Sequence, residues 1–109
     1  MAKNEVIELL KKYCILLNSV GIPIEKAFLY GSYSRNQATI DSDIDVMLVS
    51  SAFDSDDDSS NIKAWSLTRK INSRIEPYTV GLKQYLNDDN SPLLQVVKKE
   101  GIEIFYKNI

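Results

Sequence analysis

Four residues in the first half of the chain could carry chemistry together: Gly31 and Ser32 and, after ten intervening residues, Asp43 and Asp45. Asp43-Ile44-Asp45 leads into Val46 to Val49, a run with the length and β-branched content of a strand. Strand side chains alternate between faces, so Asp43 and Asp45 point the same way, about 7 Å apart, while Ile44, Val46 and Leu48 point towards a core. Two carboxylates on one face of an apolar strand are costly unless a cation neutralises them. Hard oxygen ligands suit Mg²⁺ or Mn²⁺. An Asp-x-Asp at a strand start is common, and what singles this one out is Gly31-Ser32. Glycine lets the backbone turn tightly and approach a ligand. Ser32 adds a hydroxyl, and the amides that follow can cradle a phosphate. A phosphate cradle facing a two-carboxylate metal site is what nucleotidyl transfer from a nucleoside triphosphate requires.

Several elements must position these groups. Ala27 to Tyr30 reads as the strand before Gly31, and Gly31 to Ala38 as a turn entering a short helix. Upstream, residues 4–19 repeat Val6, Leu9, Leu10, Tyr13, Cys14 and Leu17 at helical spacing, with Lys3, Glu8, Lys11 and Lys12 on the other side. Gly21 stops that helix and Pro23 prevents its continuation. Residues 51–61, SAFDSDDDSSN, form a solvated loop, without an EF-hand's glycine and terminal glutamate. Ser60 or Asn61 caps a helix over 61–72 that buries Ile62, Ala64, Trp65, Leu67 and Ile71. A strand over 74–80 contains Pro77, which suits an edge or a strand end. Leu82 to Leu86 makes a short helix, and a loop from Asp88 through Asp89 and Asn90 leads to Ser91 as N-cap and Pro92 at the first helical position. That last helix buries Leu93, Leu94, Val96 and Val97 and ends at Gly101. Ile102 to Tyr106 is a final strand. The order α-β-(α)-β-α-β-(α)-α-β describes one α/β domain over 1–109, a small mixed sheet with helices on one side and the carboxylates on the more exposed face.

Arg35 either pairs with Asp41 or Asp43 at the surface or brings its guanidinium to a triphosphate. Ser42 caps or orients the loop entering the acidic pair. Asp41 falls on the opposite face from a ligand and is not assigned to the metal. Cys14 lies in an apolar stripe and reads as packing, and Trp65 as a core anchor. The 109 residues carry 13 basic and 15 acidic side chains, a net charge of −2, so nothing basic points to direct nucleic-acid binding. With one cysteine and no histidine, an internal disulfide and His-based triads or zinc sites are excluded. No signal peptide or membrane-length apolar run is recognisable, which favours the cytoplasm without membrane contact.

Residues 31–45, GSYSRNQATIDSDID, closely resemble the signature of the DNA polymerase β-like nucleotidyltransferases, in particular their small prokaryotic branch, the minimal nucleotidyltransferase (MNT) domains. That branch typically reads Gly-Ser-aromatic-Ala-Arg-Gly and then Ser-Asp-Ile-Asp-Leu; here Ser34, Asn36 and Val46 depart from it. Asn tolerates left-handed backbone well, so the change at 36 is mild. The resemblance implies the family's palm-like fold and two-metal chemistry. Asp43 and Asp45 would hold two Mg²⁺ ions, or Mn²⁺, with Glu76 as the third carboxylate ligand and Asp43, Asp45 and Glu76 together as the catalytic set. Glu76 could instead be a surface glutamate paired with Arg74 or a lysine. Gly31, Ser32, Arg35 and Ser42 would contact the nucleoside triphosphate, ATP being the expected one. MNT proteins commonly stand beside a helical HEPN protein as the antitoxin of a toxin–antitoxin pair, adding AMP to its tyrosine. With no acceptor domain recognised, the expectation is a Mg-dependent adenylyltransferase acting on such a partner. A contact-only module that neutralises or scaffolds its partner is the alternative, and a metal-dependent phosphohydrolase a third. Apolar surface on the first helix hints at a homo- or hetero-oligomer.

Overall fold

The computed structural model describes residues 1–88 and 90–107; Asp89 of the expected loop, and Asn108 and Ile109 at the end of the expected domain, lie outside the described residues. Helix α1 (Lys3–Ser19) opens where Glu5 Oε1 accepts from the Ala2 amide at 3.1 Å. It stops at Gly21, whose φ of +91° costs a glycine little. Its stripe buries Val6, Leu10, Tyr13, Cys14 and Leu17, each large aliphatic side chain contributing about 2 kcal/mol. Ile15 stays exposed.

Strand β1 (Lys26–Tyr30) pairs antiparallel with β2 (Ile44–Ser50), and β2 pairs parallel with β3 (Ile75–Gly81). A short β4 (Ile102–Glu103) closes the other side of β1, giving the order β3-β2-β1-β4. The sheet is therefore mixed, and β3, which contains Pro77, is an edge strand as the proline requires. Only two residues of the expected 102–106 strand pair with β1 in this way; the Ile104 amide adds one bond to Ala27 O at 2.8 Å.

One face of the sheet carries Ala27, Leu29, Ile44, Val46, Leu48 and Ile75 against α1 and Ala64 of α2 (Ser59–Leu67). Tyr13 Oη ties the two helices by donating to Ala64 O at 2.6 Å. On the other face, Phe28, Met47, Val49 and Val80 are covered by Leu94 and Val97 of α4 (Pro92–Glu100). Helix α3 (Leu82–Asn87) joins them through Tyr85, stacked on Phe28 with ring centroids 5.9 Å apart. The helical layer of α1 and α2 thus has a companion that occupies one end of the opposite face. The physical reason is the strand alternation: Met47 and Val49 follow Asp45 on that face and need cover. The half nearer Asp45 stays open.

Several local readings are corrected. The segment after Gly31 is a series of turns through Asn36 and does not become helix, because Asn36 adopts φ 57° and Ser34 Oγ takes up Gly31 O at 3.0 Å. Helix α2 starts at Ser59, where Asp57 Oδ1 accepts the Ser59 amide at 3.0 Å, and tightens into a 3-10 turn over Thr68–Lys70. It buries Ala64 while Ile62 is 65% and Trp65 47% exposed, so Trp65 is no core anchor. Val96 likewise faces out of α4. Capping of α4 is as expected, with Ser91 Oγ accepting from the Leu94 amide at 3.4 Å and Pro92 at the first turn. In the acidic loop, Asp54 accepts the Lys83 amide at 3.1 Å at the start of α3, a tie hidden in what reads as a solvated run. Among the described residues, no helix is long and apolar enough to cross a membrane.

Candidate active site

The pairing register builds the site. Tyr30 of β1 lies opposite Asp45 of β2, and Asp45 lies opposite Glu76 of β3. Directly paired residues share a face, so these three side chains form a row across three strands. Asp43, two residues before Asp45, extends the row downward at the strand entrance. Ile44 between them is fully buried in the opposite direction.

Electrostatics follow from that row. Burial raises the Asp45 carboxyl above its ordinary range, the Asp43 charge raises it further, and Arg35 partly offsets both. Glu76, though exposed, is raised by local desolvation, by the charges of Asp43 and Asp45, and by close approach to Asp43. Tyr30 is pushed up to about 12 by burial and then by Asp45, Tyr78 and Glu76. All three are raised first by burial and then by the negative charge of their neighbours, and a cation would relieve the second of these. Among the described residues, no three carboxylate, cysteine or histidine side chains converge into a ready metal cage. Mg²⁺ is commonly held by one or two carboxylates together with substrate phosphates and water. Asp43 and Asp45 could hold it, with Glu76 across the strand.

Gly31 brings the loop to the carboxylates. Its φ of +76° is left-handed, and a Cβ built on it would overlap Asp45 Oδ2. The amides of Arg35 and Gln37 bond back to Gly31 O and Ser32 O, whereas those of Ser32, Tyr33 and Ser34 find no acceptor among the described residues. Consecutive unpaired amides beside a glycine turn make an anion-binding concavity. Tyr33 is buried beneath the loop and anchors it to the core.

The other expected residues fall into place unequally. Among the described residues Arg35 makes no ion pair with Asp41 or Asp43; its Nε donates to the Gln37 side-chain oxygen Oε1 at 3.3 Å, and its charge lowers the Asp45 carboxyl. Ser42 acts within the loop, where Oγ accepts the Thr39 amide at 2.7 Å. Asp41 pairs with Arg74 at 3.9 Å, away from the row. Arg74 also donates to Ile40 O, and its own carbonyl accepts the Ile44 amide at 2.9 Å. It thereby clamps the loop entering Asp43, a positioning role that nothing in its sequence context announces. Among the described residues, Glu76 has no cationic partner, neither Arg74 nor a lysine. Tyr30 was also missed, although strand alternation and the register with Asp45 suffice to find it.

A family model for the polymerase β nucleotidyltransferase matches residues 4–109. Among solved structures, a candidate nucleotidyltransferase from Sulfolobus solfataricus is similar over 93% of this chain and 80% of its own, with 16% identity and a TM-score of 0.64. A toxin–antitoxin solved with AMP-PNP is similar over 89% and 73%, with 24% identity and a TM-score of 0.59. A mutant of the toxin–antitoxin MntA–HpeT, in which two aspartates two positions apart are changed to glutamate, is similar over 98% and 75%, with 19% identity and a TM-score of 0.53. At these identities the likeness is one of fold. No curated protein matches the sequence.

Proposed function

Because the chain belongs to the polymerase β nucleotidyltransferase family, we propose that it transfers AMP from ATP to a hydroxyl of a partner protein. The observation that carries this reading is the close approach of the Gly31 turn to the Asp45 carboxylate, which puts an amide cradle and a carboxylate row around one point. The amides of Ser32, Tyr33 and Ser34 and the Ser32 hydroxyl hold the β- and γ-phosphates, with Arg35 adding charge from the exposed side. Ser42 and Arg74 hold the loop that delivers Asp43. Asp43, Asp45 and Glu76 would hold divalent cations, Mg²⁺ before Mn²⁺, which when bound would neutralise the triphosphate and lower the pKa of the acceptor hydroxyl. Glu76, on the edge strand, or Asp45 would take the acceptor proton.

The two toxin–antitoxin neighbours support a partner protein, and the resemblance to MNT domains makes a helical HEPN-type protein the expected one. The test uses ATP labelled at the α-phosphate, Mg²⁺ and a co-expressed candidate partner. Label on the partner with release of pyrophosphate is the expected result, lost in Asp43→Asn/Asp45→Asn. Orthophosphate release instead would identify a phosphohydrolase. Full neutralisation of the partner by the double variant would identify a contact-only module.

A further inference from the structure

The two edges of the sheet are finished differently. At one, Pro77 blunts β3, and Thr79 Oγ1 donates to Asn61 Oδ1 of α2 at 2.9 Å. At the other, β4 leads straight into Phe105, which is 73% exposed. The ladder with β1 sets the direction of the backbone groups there. Glu103 lies opposite Phe28, and the Ile104 amide donates to Ala27 O at 2.8 Å. Bonded and non-bonded residues alternate in an antiparallel pair. The N–H and C=O of Ile104 therefore point to β1, and those of Glu103 and Phe105 point to the open edge. Among the described residues, the Phe105 amide and carbonyl find no hydrogen-bond partner. The residues on either side are tied down: Ile104 is buried, and Tyr106 Oη donates to Ile24 O at 2.7 Å. Phe105 is thus held outward. Helix α1 leaves about 550 Å³ of open space beside it, between Lys11, Ile15 and Lys107.

We propose that this edge pairs with the same edge of a second copy of the chain, antiparallel and with Phe105 on the two-fold axis. An exposed edge is a template for strand addition, and a two-fold lets one patch serve both copies. The charges select the second copy and its register. Glu103 and Lys107 stand two residues before and two residues after Phe105, one acidic and one basic. With Phe105 opposite Phe105, each Glu103 faces the partner's Lys107, and the two rings form a cross-strand aromatic pair. A register centred on Glu103 would instead oppose two carboxylates. Among the described residues Lys107 makes no ion pair, and Glu103 meets only Lys26, at 3.4 Å. An unrelated strand would have to reproduce this spacing of acid and base, whereas a second copy already carries it. The joined sheet runs β3-β2-β1-β4-β4-β1-β2-β3. Glu76 lies on its two outermost strands and Asp45 on the next, so association leaves both candidate sites open. The inference stands independently of the nucleotidyltransferase reading.

The edge is short, so the dimer is a reversible one that dilution takes apart. The test is sedimentation equilibrium of the protein across a dilution series, with thermal melts to confirm that each variant folds. Wild type should pass from monomer to dimer as concentration rises. Phe105→Lys, Lys107→Glu and Glu103→Lys should each raise the dimer dissociation constant by about tenfold or more. An equimolar mixture of Glu103→Lys and Lys107→Glu chains should restore the dimer, because every acid then faces a base again. Loss of a merely structural contact would not be repaired by mixing. Hydrogen exchange at rising protein concentration should add protection at the Glu103 and Phe105 amides, more than at Ile104, which is already bonded to β1. A wild-type chain that stays monomeric up to about 1 mM would overturn the proposal. So would a dimer that Phe105→Lys and Lys107→Glu leave intact, a mixture that stays monomeric, or added protection on α1 in place of the β4 edge.

Discussion

The two faces of β2 start from neighbouring residues and end in opposite physical situations. Ile44, Val46 and Leu48 are fully buried against α1 and α2, within the larger apolar cluster. Asp45, one residue from two of them, faces Tyr30, Glu76 and Asp43, where burial and the Asp43 charge disfavour its ionised form and Arg35 only partly offsets them. The first face contributes to stability, and the second lowers it unless a cation is bound. The acidic row is thus kept against the grain of folding, which is how a strained electrostatic site is recognised.

Substitutions on the two faces should therefore separate stability from activity. Leu48→Ala removes a buried side chain and should cost about 2–5 kcal/mol in denaturant unfolding. Asp43→Asn/Asp45→Asn should abolish nucleotide transfer while leaving the metal-free protein as stable as wild type or more so. Equal destabilisation by both would erase the contrast.

Gly31→Ala probes the seam between the faces. The left-handed φ alone costs an alanine about 1–2 kcal/mol, and the new methyl would press on Asp45. Lower stability together with weaker donor binding is expected, whereas Gly21→Ala, at a similar φ but with open space around it, should affect stability only.

The pH dependence sharpens the electrostatic half. Asp45 and Glu76 are raised in the folded protein, so each binds its proton more tightly there than in the unfolded chain. Their favourable contribution is full below the unfolded values of about 4 and is lost as pH rises through the raised ones. Mg²⁺ should accordingly raise the melting temperature more at about pH 7.5 than at about pH 4. A Mg²⁺ shift of equal size at both would contradict the assignment.

The smallest expected effect lies wholly on the core face. Cys14 is buried and its thiol is pushed up to about 12 by desolvation. It should resist thiol reagents in the native protein and react only on unfolding, with Mg²⁺ making no direct difference at the sulfur.

How far these features were legible depended on the range of the interaction behind them. Alternation along β2 separates Asp45 from Ile44 within the strand itself, and the left-handed turns at Gly31 and Asn36 follow from residue type. Pro77 announced the edge strand because a proline cannot donate to a ladder on both sides. The fate of an apolar stripe was less legible. Ile62 and Trp65 have helical spacing, yet α2 lies over the sheet edge, so the stripe splits between core and cleft. Periodicity reports that a face is apolar and leaves open what covers it. The Arg74 clamp depends on a contact across thirty-four positions, and local pattern carries no trace of it.

The most direct test of the central claim is calorimetric titration with a non-hydrolysable ATP analogue, with and without Mg²⁺, for wild type and Asp43→Asn/Asp45→Asn. The account predicts Mg²⁺-dependent binding to wild type and its loss in the double variant. Binding of equal strength in the variant, or none by wild type to any of the four nucleotides, would contradict it.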